Sequence, residues 1–223
     1  MTQSLRTTAR LAGALYLLLA LLAFFGLMYV PQQYFVKDNH AETMRRLLAN
    51  EQVFRFGIWT DLASQVIFVF LVLVLYRLFR PVQEHWSRAM VALVLVSVPI
   101  VFVSEACNLA AVAIARKELL AGPGAREEWV WLFLRLYDYG ILVAEIFWGL
   151  WLIPFGGLMY RSGFMPRILG ILLILGGLSY VLESSKGILF PGVSFSFPRI
   201  YSLAEVATIL WLLIRGTTKN DSL

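Results

Sequence analysis

Six apolar runs punctuate the chain, at roughly Leu11–Val30, Phe56–Tyr76, Ala89–Ala115, Trp129–Tyr160, Ile168–Leu182 and Ile200–Ile214. A helix that crosses a bilayer needs about 20 largely apolar residues, with a range of about 17–25. The first four runs meet that length. The fifth and sixth fall short and draw on flanking residues at their outer ends. The fourth is long enough to tilt or protrude. The pattern predicts an all-α integral membrane helix bundle of six transmembrane helices, forming a single domain over residues 1–223.

The polar positions between the runs set the expected orientation. Arg6 and Arg10 precede the first run, which is longer than the apolar core of a signal peptide and has no Ala-x-Ala cleavage pattern after it. It is expected to stay as the first helix. Basic residues near the ends of the runs divide evenly, nine on each side. Two features break the tie. The inner connections are shorter, so their basic density is higher, and the first run has no basic residue after it until Lys37. Both termini are therefore expected to be cytoplasmic.

The outer connections carry patterns of their own. Asp38 or Asn39 can cap a helix extending to about Glu51, and Met44, Leu47 and Leu48 give it an apolar face, so residues 39–51 read as a short interfacial helix. The connection Lys186–Arg199 is apolar for a loop. Pro191, Gly192 and Pro198 keep it from being helical, so it should lie at the interface or fold over the bundle as a lid. Pro99 and Pro154 fall inside the third and fourth runs, where each removes a backbone hydrogen bond. Cys107, Ala111 and Ala115 form a stripe of small side chains suited to close helix packing. The first and fifth runs open alike, and the second and sixth share an acid six residues after an arginine, a faint parallel repeat of the kind transporters carry.

Composition agrees with a membrane protein. Hydrophobic residues make up 60% of the chain and charged residues 15%, with a mean hydropathy of +0.75. Soluble domains average about 45–50% apolar and about 25% charged residues. A soluble enzyme, a disordered chain and a disulfide scaffold are thereby excluded. The net charge of +5 arises from residues flanking apolar runs, so it reads as topology and headgroup contact rather than nucleic-acid binding. The expected partners are the lipid bilayer and a small cation or polar ligand.

That ligand is suggested by acids inside the membrane. Asp61, Glu105, Asp138, Glu145 and Glu205 all interrupt apolar runs. A charge at the bilayer centre costs about 2.5–3.5 kcal/mol on insertion scales, and such residues commonly mark pathways, relays or ligand sites. Polar neighbours share their faces. Ser64 and Gln65 follow Asp61, Ser104 and Asn108 flank Glu105, Arg135 precedes Asp138 by three, and Ser202 and Thr208 flank Glu205. These stripes are expected to turn inward and meet in a pocket in the outer half of the bilayer. The candidate ligand-binding set is Asp61, Glu105, Asn108, Arg135, Asp138, Glu145 and Glu205, with Arg135 holding Asp138.

Two other readings compete. The acids could serve only as interhelical glue, at about 0.6 kcal/mol per contact, in a non-catalytic interaction or sensory subunit. Five carboxylates against one deeply placed arginine are unbalanced for that role. An intramembrane enzyme would have to work through carboxylates alone. His-Glu-x-x-His, Gly-x-Ser-x-Gly and glycine-rich phosphate loops are absent, and no apolar run contains a histidine. No catalytic residue, metal site or cofactor is therefore expected. Tyr137-Asp138 matches half of an aspartyl protease pattern, but no Gly-x-Gly-Asp follows.

Three stretches together carry a family resemblance. They are Arg10-Leu-Ala-Gly13-Ala-Leu-Tyr16-Leu, Trp151-Leu-Ile-Pro154-Phe-Gly156, and Tyr160-Arg-Ser-Gly163-Phe-Met-Pro166-Arg167-Ile-Leu-Gly170. They resemble the bacterial multipass proteins of the domain-of-unknown-function family numbered 4386, in the same order along nearly the whole chain. The resemblance implies a multipass protein of the bacterial inner membrane. It implies no activity, substrate or catalytic residue.

Overall fold

The computed structural model describes residues 2–119, 125–190, 192–193 and 200–217. Half of the expected lid, Lys186–Arg199, lies outside the described residues. Its first residues instead extend the preceding helix. The chain is all-α among the described residues, as the apolar runs predict. The helices are α1 (Thr2–Ala23), α2 (Val30–Tyr34), α3 (His40–Ala49), α4 (Glu51–Phe79), α5 (Glu84–Ala115), α6 (Arg126–Ser162), α7 (Arg167–Leu189) and α8 (Ile200–Ile214). A π-helical stretch, Phe24–Tyr29, joins α1 to α2 without a break.

Five helical segments are long and apolar enough to cross a membrane: Leu5–Tyr34, α4, α5, α6 and α7. The last apolar helix is shorter, with its apolar part at Leu203–Ile214. Pro99 and Pro154 sit within α5 and α6, which continue through them. The expected interfacial helix is α3, and Asn39 caps it, its side chain accepting the Glu42 N–H at 2.9 Å. The α6–α7 corner shows why the motif at residues 160–170 has its composition. α6 stops where Gly163 takes a left-handed φ of +70°, a conformation that favours glycine. The Ser162 hydroxyl accepts the Phe164 and Met165 N–H groups, and Pro166 then leads into α7.

The chain packs as two compact units. The first comprises residues 1–18, 67–98 and 142–223, and the second residues 19–66 and 99–141. The first unit is built on aromatic and glycine contacts. Trp151 stacks on Phe155 at 5.3 Å and meets Phe68 and Tyr16 edge-on. Glycines seven residues apart on α6, Gly149 and Gly156, face glycines seven apart on α7, Gly177 and Gly170. A Cβ at Gly149 would lie 2.6 Å from the Gly177 carbonyl oxygen. Only glycine allows these backbones so close, and the approach replaces side-chain burial with direct backbone packing.

The second unit has a core of Val30, Tyr34, Leu47, Phe54, Ile58, Ala111, Val112, Ile114, Ala115, Val130 and Leu134. Ala111 and Ala115 of the small-residue stripe are buried there, so packing accounts for them. α3 is fastened by Leu47 in this core and by the His40 ring, which stacks on Trp131 at 4.4 Å. These contacts fix the ends of α4, α5 and α6 that carry the polar residues described next.

Candidate functional site

The second unit brings Asp61 of α4, Glu105 and Asn108 of α5, and Tyr137 of α6 together. Asp61 lies three turns into α4, about 15 Å along the axis from its start at a rise of about 1.5 Å per residue. Glu105 lies as far from the end of α5, so antiparallel packing sets the two acids at one level. Both are almost fully buried, at 3% and 1% exposure. Their carboxyls come within hydrogen-bonding reach of each other.

Tyr137 owes its place to helical periodicity. Val130, Leu134 and Tyr137 repeat at four- and three-residue spacing and all turn inward. Gly140, one turn on, abuts the Ser104 side chain so closely that a Cβ would clash with its hydroxyl oxygen. α6 therefore approaches α5 beside Glu105. The Tyr137 hydroxyl donates to Asp61 Oδ2 at 3.2 Å. From the other side the π-helical stretch supplies Gly26, whose missing Cβ leaves room for the Asp61 carboxyl. π-helical turns of this kind are frequent at functional sites.

Donors fall short of acceptors in this cluster. The Asn108 amide N–H₂ donates to Glu105 Oε2 at 3.0 Å. The Ser64 hydroxyl is spent on the Asp61 backbone carbonyl, and the Gln65 amide N–H₂ on the Ser64 oxygen. Asp61 Oδ1, Glu105 Oε1, Gln65 Oε1 and Asn108 Oδ1 are then buried without a donor among the described residues. No Arg, Lys or His among the described residues forms an ion pair with either acid. Buried polar atoms are nearly always paired, so four orphaned acceptors on neighbouring turns mark a place that attracts a proton or a donor-bearing cation.

The remaining predicted site residues lie elsewhere. Arg135 and Asp138 do form the expected ion pair, at 3.0 Å. Their side chains are 40% and 44% exposed, however, so Asp138 does not turn inward as expected. The inward position on this part of α6 belongs to Tyr137, one residue and about 100° away. Arg135 instead lies over the Tyr139 ring. Glu145 and Glu205 belong to the first unit. There Glu205 accepts the buried Tyr16 hydroxyl at 2.6 Å, while Thr208 bonds back to the Ala204 carbonyl. Ser202 lies outside the described side chains. The sequence reading missed Tyr137, Gln65 as an orphaned acceptor, and Gly26. The inward spacing from Val130 was the available signal for Tyr137; no sequence pattern marks Gly26.

Comparison with known proteins places the chain in a family without assigning it an activity. Residues 11–216 match the family described as domain of unknown function (DUF4386). An uncharacterized protein of Archaeoglobus fulgidus is 31% identical over 84 residues, which are 37% of this chain and 51% of that protein. The chain thus spans about half the length of the curated relative it matches. No solved structure matches it. The chain belongs to the DUF4386 family.

Proposed function

We propose that this member of the DUF4386 family is a six-span protein of the plasma membrane, with both termini cytoplasmic, that binds and carries a small cation or a proton at the Asp61–Glu105 pair. The observation that supports this most is the deficit of donors: two buried carboxyls and two buried amide oxygens, on neighbouring turns of α4 and of α5, have no donor and no basic side chain among the described residues to meet them. A cation that brings its own hydrogen-bond donors, such as ammonium or a protonated amine, supplies what is missing. So does a single proton held between the carboxyls. The intramembrane level of the pair fits a pathway residue, since an acid at that depth is costly unless it is used.

The test is a thermal stability screen of the purified chain over inorganic and organic cations. A ligand at 100 times its dissociation constant stabilises the folded state by about 2.7 kcal/mol. The expected result is a gain with at least one cation, larger in mildly alkaline than in mildly acidic buffer, because protons compete for the same oxygens. Asp61→Asn with Glu105→Gln should abolish the gain and leave the chain folded. A flat response over a broad panel, with the double variant as stable as the wild type, overturns the reading. A flat response with the double variant less stable than the wild type would instead favour the interaction-subunit alternative, in which the acids join helices as the Tyr16–Glu205 bond joins α1 to α8.

A further inference from the structure

The first unit carries, at one of its ends, a charge imbalance that the acidic site does not use. The α4–α5 and α6–α7 turns lie side by side there. Phe79 stacks on Phe164 at 5.5 Å, and Arg161 donates to the Gln83 side-chain oxygen. Around these turns Arg77, Arg80, Arg88, Arg161 and Arg167 are all exposed. The acid among them is Glu84, and it is already engaged by Arg88 at 2.9 Å and Arg80 at 3.5 Å. At the α1–α8 side of the same unit, Gly216 sets the end of α8 against the exposed Arg6.

The second unit provides the contrast. Its connections, residues 37–55 and 116–128, hold seven basic and six acidic side chains. There Glu42 takes both Arg45 and Arg46, and Glu51 takes Arg55 and Arg116. Positive charge at that place is neutralised within the chain. At the arginine-rich turns it is not.

Two of the arginines also mark the depth at which this charge sits. The Arg161 guanidinium lies over the Trp86 ring at 4.9 Å, and Arg167 over the Tyr160 ring at 5.5 Å. Trp and Tyr collect at the headgroup level of a bilayer, where the ring is apolar and its edge is wet. A guanidinium held over such a ring still has N–H groups to offer phosphate oxygens, in Arg161 those beyond the one given to Gln83.

We propose that the arginine-rich turns of the first unit bind the phosphate headgroups of anionic phospholipids. The complementarity is one of charge and of level. Five guanidiniums against one carboxylate attract an anionic leaflet, and the aromatic partners hold two of them where lipid phosphates lie. The proposal is independent of any ligand at Asp61 and Glu105.

The experiment compares the purified chain in nanodiscs of phosphatidylcholine alone with nanodiscs that also contain phosphatidylglycerol. The readouts are the melting temperature and the lipids retained in native mass spectrometry. Wild type is expected to melt higher with phosphatidylglycerol and to retain it in preference to phosphatidylcholine, with both effects shrinking as salt rises. The triple variant Arg80→Gln, Arg88→Gln, Arg161→Gln should bind phosphatidylglycerol roughly 10- to 100-fold more weakly. The corresponding lysine variant should keep more of the affinity, and Arg45→Gln with Arg46→Gln should keep all of it. Equal melting and equal retention of the two lipids by wild type would overturn the proposal, whatever the variants do. So would full protection by inorganic phosphate in phosphatidylcholine, or an equal loss in the Arg45 and Arg46 variant.

Discussion

Gly26→Ala tests the site geometry with a single methyl group. The added Cβ would fall on Asp61 Oδ1 and lie 2.8 Å from Oδ2, well inside contact distance. Two escapes are open. The π-helical stretch can move outward, at about 1–3 kcal/mol for an overpacked interior. Alternatively Asp61 can swing away and lose the Tyr137 hydroxyl, a bond worth about 1.5–3 kcal/mol if the acceptor is charged. The cheaper route sets the loss at about 2 kcal/mol. Against it stands a gain of about 0.5–1 kcal/mol from replacing a helical glycine by alanine. The net expectation is a destabilisation of about 1–1.5 kcal/mol, a drop of roughly 2–6 °C in melting temperature for a chain of this size. The assay is thermal unfolding of four proteins: wild type, Gly26→Ala, Asp61→Ala and the double variant. Asp61→Ala removes the atoms that the new methyl meets, so in that background Gly26→Ala should be neutral or stabilising. The interaction energy of the cycle should then be about 1–3 kcal/mol. An equal effect of Gly26→Ala in both backgrounds, or no loss in the wild-type background, refutes the placement of Gly26 over the Asp61 carboxyl.

Three other outcomes are expected. Gly156→Val and Gly177→Val should each destabilise the chain by about 1–3 kcal/mol or more, because the new side chain meets backbone on the facing helix, whereas Gly192→Ala, with open space around it, should change melting little. The Arg45 and Arg46 guanidiniums hold the Glu42 carboxyl down at about 2, against an ordinary value of 4.5. Its folded-state value lies below its unfolded one, so the stability it adds is present above 4.5 and is lost as pH falls toward 2. The stability difference between wild type and Glu42→Gln should therefore be flat near neutrality and close in that acid window, as read from unfolding curves across pH. For topology, in a chain whose Cys107 is replaced by Ala, a cysteine at Asn39 should react with an impermeant thiol reagent from outside intact cells and one at Gln83 should not. The reverse pattern inverts the proposed orientation.

What the sequence determined by itself is mostly one-dimensional. Apolar runs of span length announce helices because a backbone in hydrocarbon must satisfy its own hydrogen bonds, and α4, α5 and α6 cover the second, third and fourth runs. α7 begins with the fifth run and, as its short length implied, draws on flanking residues, continuing through Glu183 and Lys186 to Leu189, where an i,i+3 ion pair at 2.7 Å lets charged residues stay helical. The cap of α3 at Asn39 and the Arg135–Asp138 pair were legible because both are local, resting on spacings within one helix. Asp61, Glu105 and Asn108 stood out as candidates because acids and amides are costly in an apolar run.

Which of those residues meet was decided only in the tertiary structure. Asp61 and Glu105 face each other, while Glu205 takes Tyr16 of α1 and Asp138 stays on an exposed flank. Periodicity says which residues share a face of one helix. It says nothing about the axial register or rotation of the helix across from it, and one residue's rotation separates an inward Tyr137 from an outward Asp138. Those two quantities are set by close approaches at Gly26, Gly140 and the paired glycines of α6 and α7, where a missing Cβ lets backbone or polar side chains touch. A glycine's contribution is the absence of atoms, and its effect depends on what another segment puts into that space. That partner is distant in the chain, so the site becomes visible only when the helices are packed.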